Sequence, residues 1–365
     1  MNGIDSSGIR KVFNLAAQIK DPINLSIGQP DFDVPETVKK DMIAAINAGD
    51  NRYTLTQGTA ALRNAIVKLP RYQRSSNTAS YNDDNIIITS GVSGGIMLAL
   101  AVLVNPGDAV MMADPYFVMY PHLTRFFGAA PAFIDTYPDF TITEEKLKAA
   151  YVPNAKVIIV NSPSNPTGVT LSEAEIKTIA AFAKKHNLIV LSDEIYDAFS
   201  YDGALASIAD HYPDTIILNG YSKNLAMTGL RVGYAMGPKD IIAEMIKLQQ
   251  YTFVCAPSIA QKGIERHVAY DFSANCDAYR KKRDIIYDGL KDAFHLVKPT
   301  GAFYAFPQFK HKESGDEFVK RAIEKKVLVI PANVFSQRNN GFRLSFAAEN
   351  ATLEKGIAVL RSLVP

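Results

Sequence analysis

Residues 156–196 read KVIIVNSPSNPTGVTLSEAEIKTIAAFAKKHNLIVLSDEIY. Two short continuous apolar runs, Lys156–Val160 and Leu188–Leu191, flank a segment with helical spacing. Apolar runs of that length suit strands covered on both faces. Between them Ser172 stands where a helix cap belongs. Glu175, three residues on, completes a capping box, so the pattern predicts a helix over Ser172–His186. Strand, helix and strand in succession form the repeating unit of a parallel sheet, because a parallel partner is reached only by a crossover.

The pattern continues in both directions. Upstream, Asn85–Thr89 (NIIIT) and Ala109–Ala113 (AVMMA) read as strands, with an apolar helix over Val92–Leu103 between them. Downstream, Thr215–Leu218 (TIIL) is a further strand, and Arg231–Met236 (RVGYAM) reads as one more, antiparallel to the rest. The expectation is an α/β fold with a mostly parallel sheet between helices. From about residue 270 the character changes. A charged helix over Ser273–Phe294 leads to short strands near Phe303–Phe306, Val327–Ile330 and Phe342–Phe346, then a helix over Ala351–Leu363. This reads as a smaller α+β lobe, with Asn14–Pro35 joining it. The expected division is 1–35 as arm and part of the small domain, 36–268 as the large domain, and 269–365 as the small domain.

Composition narrows the functional classes. The chain has 365 residues, 47% of them hydrophobic, and 39 basic against 37 acidic residues give a net charge of +2. That balance argues against a nucleic-acid or membrane-surface partner. The two cysteines form no CxxC and the six histidines show no ligand spacing, so neither a disulfide framework nor a metal is expected. No apolar stretch reaches the ~18 residues a membrane helix needs, and the N-terminus lacks the apolar centre of a signal peptide. The expected compartment is the cytoplasm.

In open α/β sheets, ligands sit beyond the carboxyl ends of the strands, and the polar residues of interest cluster there. Asn165 lies in the proline-rich turn Asn161–Gly168, where it either shapes a tight loop or donates to an anionic oxygen. Asp193 ends a buried strand, where a carboxylate is costly unless partnered. It serves either as a cap or core ion pair, or as the partner of a protonated ring nitrogen. Lys223 follows a strand among small and apolar residues, with Arg231 eight positions on. Burial and a cationic neighbour both favour the free amine that a Schiff base requires. Arg231 with the turn Gly91–Gly95 (GVSGG) makes a phosphate cradle, combining helix-start amides and a guanidinium. The turn matches neither GxGxxG nor GxxxxGK[ST], which counts against a dinucleotide or nucleoside triphosphate. Arg343, alone in the apolar strand FRLSF, is either paired or awaits an anion.

Four runs stand in order: NSPSNPTG, SDEIY, YSKNLAMTGLRVGY and FRLSFA. Together with SIGQPD at 26–31, Tyr53-Thr54 and Asp114–Phe117, they resemble the class I/II aminotransferases of pyridoxal-phosphate (PLP) fold type I over nearly the whole chain. The resemblance implies a large domain with a seven-stranded, mostly parallel sheet and a smaller α+β domain. It also implies ping-pong transfer of an amino group from an L-amino acid to a 2-oxo acid. Lys223 would hold PLP as an internal aldimine and shuttle the proton between Cα and C4′. Asp193 would keep the pyridine nitrogen protonated. Asn165 and Tyr196 would bond the phenolate oxygen, and Phe117 would stack on the ring. Arg231, with the amides of Val92 and Ser93, would hold the phosphate. Arg343 would pair with the substrate α-carboxylate, and Gly28 would approach the substrate. Tyr53 would reach the phosphate in a neighbouring subunit, which implies a homodimer. By the same resemblance Ser222 would be a further cofactor contact. Three residues before the lysine, where many relatives carry a phosphate-binding Ser or Thr, this chain has Gly220. The rival on the same scaffold is a PLP-dependent C–S β-lyase.

Overall fold

The computed structural model describes residues 8, 19–73, 81–203 and 205–365. The part of Asn14–Pro35 before residue 19, expected to join the small lobe, lies outside the described residues.

The large sheet contains β2 (Ile86–Ser90), β3 (Ala109–Asp114), β4 (Ala130–Asp135), β5 (Ala155–Asn161), β6 (Ile189–Asp193), β7 (Thr215–Gly220) and β8 (Val232–Met236). Their order is β2-β8-β7-β6-β5-β3-β4. Every pairing is parallel except those of β8, which runs antiparallel to both β2 and β7. The central strands β5, β6 and β7 are buried almost throughout, as their unbroken apolar runs require. The helix Glu173–His186 carries the expected capping box between Ser172 and Glu175. It ends on Asn187 in the left-handed conformation (φ 51°), which asparagine tolerates better than most residues.

The sequence pattern does not reveal β4. It opens Ala130-Pro-Ala, and its partly exposed residues place it at the sheet edge beyond β3. Proline lacks a ladder donor and is accepted only where one side of the strand is unpaired.

The antiparallel β8 brings the chemistry to one rim. β7 ends at Gly220 and β8 begins at Val232, and Gly220 pairs with Gly233. The loop between them therefore leaves and returns at the carboxyl rim of the sheet, carrying Lys223 and Arg231 with it. β2 also ends there, because Ser90 pairs with Val232. The backbones are crowded at this point. A Cβ on Gly220 would meet Gly233 Cα at 2.7 Å, and a Cβ on Gly233 would meet Gly91 C and Val92 N at 2.7 Å. A side chain at position 220, where many relatives carry Ser or Thr, would require these backbones to shift apart.

The smaller lobe holds β1 (Ile23–Asn24), β9 (Tyr304–Ala305), β10 (Val327–Leu328), β11 (Ile330–Pro331) and β12 (Phe342–Ser345). β1 pairs in parallel with β10, Ile23 opposite Val327 and Asn24 opposite Leu328. β12 lies between β11 and β9, antiparallel to both. The expected single strand Val327–Ile330 is two short ones serving different partners. Phe294, Phe309, Phe318 and Phe342 pack beneath, with Phe318 and Phe342 stacked at 4.9 Å. One hydrophobic cluster runs from this lobe into the large sheet, so the lobes are held against each other by shared core.

Candidate active site

A cleft of about 600 Å³ opens at the carboxyl rim, between the sheet and the small lobe. Val92, Ser93, Phe117, Asn165, Asp193, Tyr196, Ser222, Lys223, Arg231, Gly28 and Arg343 all line it. Of the residues singled out from sequence, Tyr53 does not. It is 84% exposed, outside the cleft of its own chain.

Lys223 is half-buried, and its Nζ donates to the Gly28 carbonyl at 2.8 Å. The Tyr196 and Phe303 rings lie 5.8 and 5.9 Å away. Its pKa is lowered to about 8, first by burial, then by Arg343 and Arg231, with Asp193 opposing. An ammonium so placed releases its proton near pH 8, well below the ordinary lysine range. Burial contributes more than the neighbouring charge that the sequence brings forward, and Arg343 contributes ahead of Arg231.

Asp193 ends β6 and is buried. The Tyr120 hydroxyl donates to Oδ2 at 2.6 Å and the Ile195 amide to Oδ1 at 3.2 Å. Burial pushes its carboxyl up to about 6, and those two donors hold it from rising further. Such an acceptor gains most from a cationic partner, which would restore its ionised form.

The anion cradle forms where β2 turns into the helix Gly91–Leu103. Gly91 takes a left-handed φ of 67°, and a Cβ there would meet Arg231 Nη2 at 2.5 Å. The Arg231 guanidinium donates to the Thr228 carbonyl at 2.9 Å and the Ser90 carbonyl at 3.2 Å. First-turn amides of a helix have no intrahelical acceptor. Val92 and Ser93 therefore face the cleft with donors beside a fixed positive charge, a combination suited to phosphate.

Arg343 lies across the cleft on β12, buried with neutral partners. Nη1 donates to Asn165 Oδ1 at 3.2 Å and Nη2 to the Ser26 carbonyl at 2.6 Å, while buried Nε has no hydrogen-bond partner among the described residues. Its guanidinium sits between the Tyr304 and Phe335 rings, at 4.7 and 4.6 Å. A buried cation with an orphaned donor is poised for an anionic ligand. Asn165 is set by its own amide, which donates to Asn161 Oδ1 at 2.8 Å. Tyr196 and Tyr304 share a hydroxyl–hydroxyl bond of 2.9 Å. Phe117 meets Tyr120 edge-on at 5.6 Å.

Two residues of the cleft are not marked by the sequence. Tyr120 reads equally well as a packing residue or a pocket residue, and Tyr304 reads as part of an apolar strand. Tyr120 sits three residues after Phe117, so the spacing alone holds a weak hint. Nothing local marks Tyr304, whose partners Tyr196 and Arg343 are distant in sequence.

The turn carrying Asp193 and Tyr196 is braced from behind. Arg71 is ion-paired with both Glu194 and Asp197. Glu194 Oε1 also accepts from Ser192 at 2.9 Å and Ser207 at 2.6 Å. Asn219, at the end of β7, donates to Asp197 at 3.0 Å, and its own Oδ1 accepts from the Gly220 amide at 2.7 Å.

The cleft thus gathers a lysine of lowered pKa, a buried carboxylate, an anion cradle and an arginine with no ion-pair partner among the described residues. The family profile "Aminotransferase class I and II" matches residues 20–360. A probable aspartate aminotransferase of Methanocaldococcus jannaschii is 38% identical, over 99% of this chain and 97% of the relative. A probable N-acetyl-LL-diaminopimelate aminotransferase of Bacillus subtilis is 40% identical, over 99% and 94%. The solved structure of Thermus thermophilus aspartate aminotransferase with maleate superposes at a TM-score of 0.94 and 30% identity, covering 99% of this chain and 97% of that one. The chain belongs to the class I and II aminotransferases, and it is an aminotransferase.

Proposed function

We propose that the cleft binds pyridoxal phosphate and transfers an amino group from an L-amino acid to a 2-oxo acid in two successive half-reactions. The observation that carries this reading is the enclosed Lys223 amine, lowered to about 8 and set between Asp193 and two arginines. The residues present fit the cofactor: a helix-start cradle with Arg231 for its phosphate, Asp193 for its ring nitrogen, and Phe117 for its ring face. Bound pyridoxal phosphate supplies an aldehyde that condenses with amines and a ring that takes up the electron pair left at Cα.

Arg343 binds the α-carboxylate of donor and acceptor alike, because its Nε is free and its present partners are neutral. Asp193, held by Tyr120, stabilises positive charge at the ring nitrogen. Asn165 and Tyr196 hold the phenolic oxygen, and Ser222 adds a contact to the phosphate. Lys223 Nζ takes the proton from the donor's Cα and returns it on the far side of the transfer. Its lowered pKa leaves a large unprotonated fraction near pH 8.

The same reading makes the protein a cytoplasmic homodimer in which Tyr53 reaches the other subunit's phosphate. Tyr53, Leu55, Tyr251 and Val254 are exposed large hydrophobics. Their segments are tied together, since Gln249 donates to the Thr56 carbonyl at 2.6 Å and Gln261 to Thr54 at 3.2 Å. Exposed large hydrophobics on linked segments fit a subunit interface. The chain would divide into 1–35 as arm and part of the small domain, 36–268 as large domain and 269–365 as small domain.

Purified protein incubated with pyridoxal phosphate is expected to absorb in the visible, and borohydride should fix the adduct to Lys223 by peptide mass. An amino donor should then yield stoichiometric oxo acid with loss of the visible band. A colourless protein with unmodified Lys223 would refute the reading. Repeated release of pyruvate and ammonia from a sulfur amino acid would assign elimination instead.

A further inference from the structure

We infer that the donor of this enzyme carries a neutral, apolar side chain, and that a second carboxylate is discriminated against. This deepens the amino-transfer reading and rests on it. Among the described residues, the cations lining the cleft are Lys223, Arg231 and Arg343. Each is already committed, Lys223 to the amine chemistry, Arg231 to the phosphate and Arg343 to the α-carboxylate. Among the described residues of this chain, none of the cleft's lysines or arginines remains for a side-chain carboxylate.

One side of the cleft is largely apolar. Ile27, beside Gly28, and Ile96, one turn into the helix Gly91–Leu103, face the cleft. So do Val118, Met119 and Leu123. Met119 and Leu123 stand four residues apart on the helix Met119–Phe126, which puts them on one face. Gln29 and His122 are the neutral polar and the titratable residue on this wall. Arg125 is on the same helix but exposed, as is Arg52. A side-chain carboxylate placed against Ile96, Met119 and Leu123 would give up water without gaining a cation. A branched aliphatic or aromatic side chain there gains from leaving water. The cleft, at about 600 Å³, has room for a large one.

Several relatives bear aspartate in their names, so the inference sets this chain apart from them and the dicarboxylic donors are the comparison that decides it. The test uses the holoenzyme at pH 8. Single-turnover spectra with L-leucine, L-methionine and L-phenylalanine are compared with L-aspartate and L-glutamate. The neutral donors are expected to react with second-order constants about 100-fold higher, the scale of discrimination a mispaired polar group imposes at the least. Calorimetry with unreactive analogues gives an independent readout: 4-methylvalerate should bind more tightly than succinate. Leu123→Lys should narrow the gap by at least about tenfold, by providing the missing cation. Faster reaction with aspartate or glutamate, or tighter binding of succinate, would overturn the inference, whichever subunit supplied the cation. Should no amino acid react at all, the amino-transfer reading falls, and the two carboxylates still decide which side chain the wall prefers.

Discussion

Arg71 and Arg343 are both enclosed by the protein, and they are kept on opposite terms. Burial alone would depress the Arg71 guanidinium, but Tyr72 and Glu194 beside it hold it above the ordinary arginine range. Arg343 is lowered by burial, with Tyr304 and Tyr196 acting against it. The first arginine is satisfied within the fold. The second has been desolvated without a counter-ion and keeps a free donor. The difference separates a charge that holds structure from one held ready for a ligand, and it is invisible in residue type.

The comparison is broken most directly at Arg71. Arg71→Met leaves Glu194 and Asp197 without their cation, and should cost about 2–4 kcal/mol of unfolding free energy in urea titration. An unchanged midpoint would mean that the brace contributes little. Arg343→Met should do the reverse. Stability should stay within about 1 kcal/mol, because no carboxylate is orphaned, while kcat/KM for any amino donor falls by about 100-fold or more. Equal losses of stability in both variants would erase the distinction.

Tyr120→Phe removes one donor from Asp193 without opening a cavity. About a tenfold loss in kcat and weaker retention of the cofactor are expected, the scale of one charge-assisted hydrogen bond. Fluorescence titration of pyridoxal phosphate separates the two effects. The smallest effect concerns pH. Lys223 acts as an amine only above its lowered pKa of about 8. In the free enzyme, the amine available to the cofactor should therefore rise with pH through that value and level off above it. Arg343 is among the charges that lower it, so Arg343→Met should move the midpoint upward, as read from the pH dependence of cofactor capture. A downward or absent shift would show that Arg343 does not act on the amine.

Much of this is legible in the chain. Five buried strands announce themselves as unbroken apolar runs, and the capping box at Ser172 is local chemistry. The antiparallel β8 is readable because so short a connection leaves little room for a crossover. β4 is not, since its proline and partly exposed residues weaken the strand pattern that its edge position permits. Lys223, Asp193 and Arg343 stand out as charged residues in apolar company. Tyr304 and Arg71 do not. Their partners lie on other elements, and an aromatic in a strand or an arginine after a proline looks ordinary until the fold brings those partners near.

The loop that departs from β7 and returns along β8 has a practical consequence for protein engineers. Because the nucleophile and the anion clamp hang from one short bridge with both feet on adjacent strands, they form a cassette. A residue inserted anywhere in that bridge would detune both groups together. Transplanting this chemistry to another parallel sheet would require carrying over the reversed neighbour strand as well as the lysine.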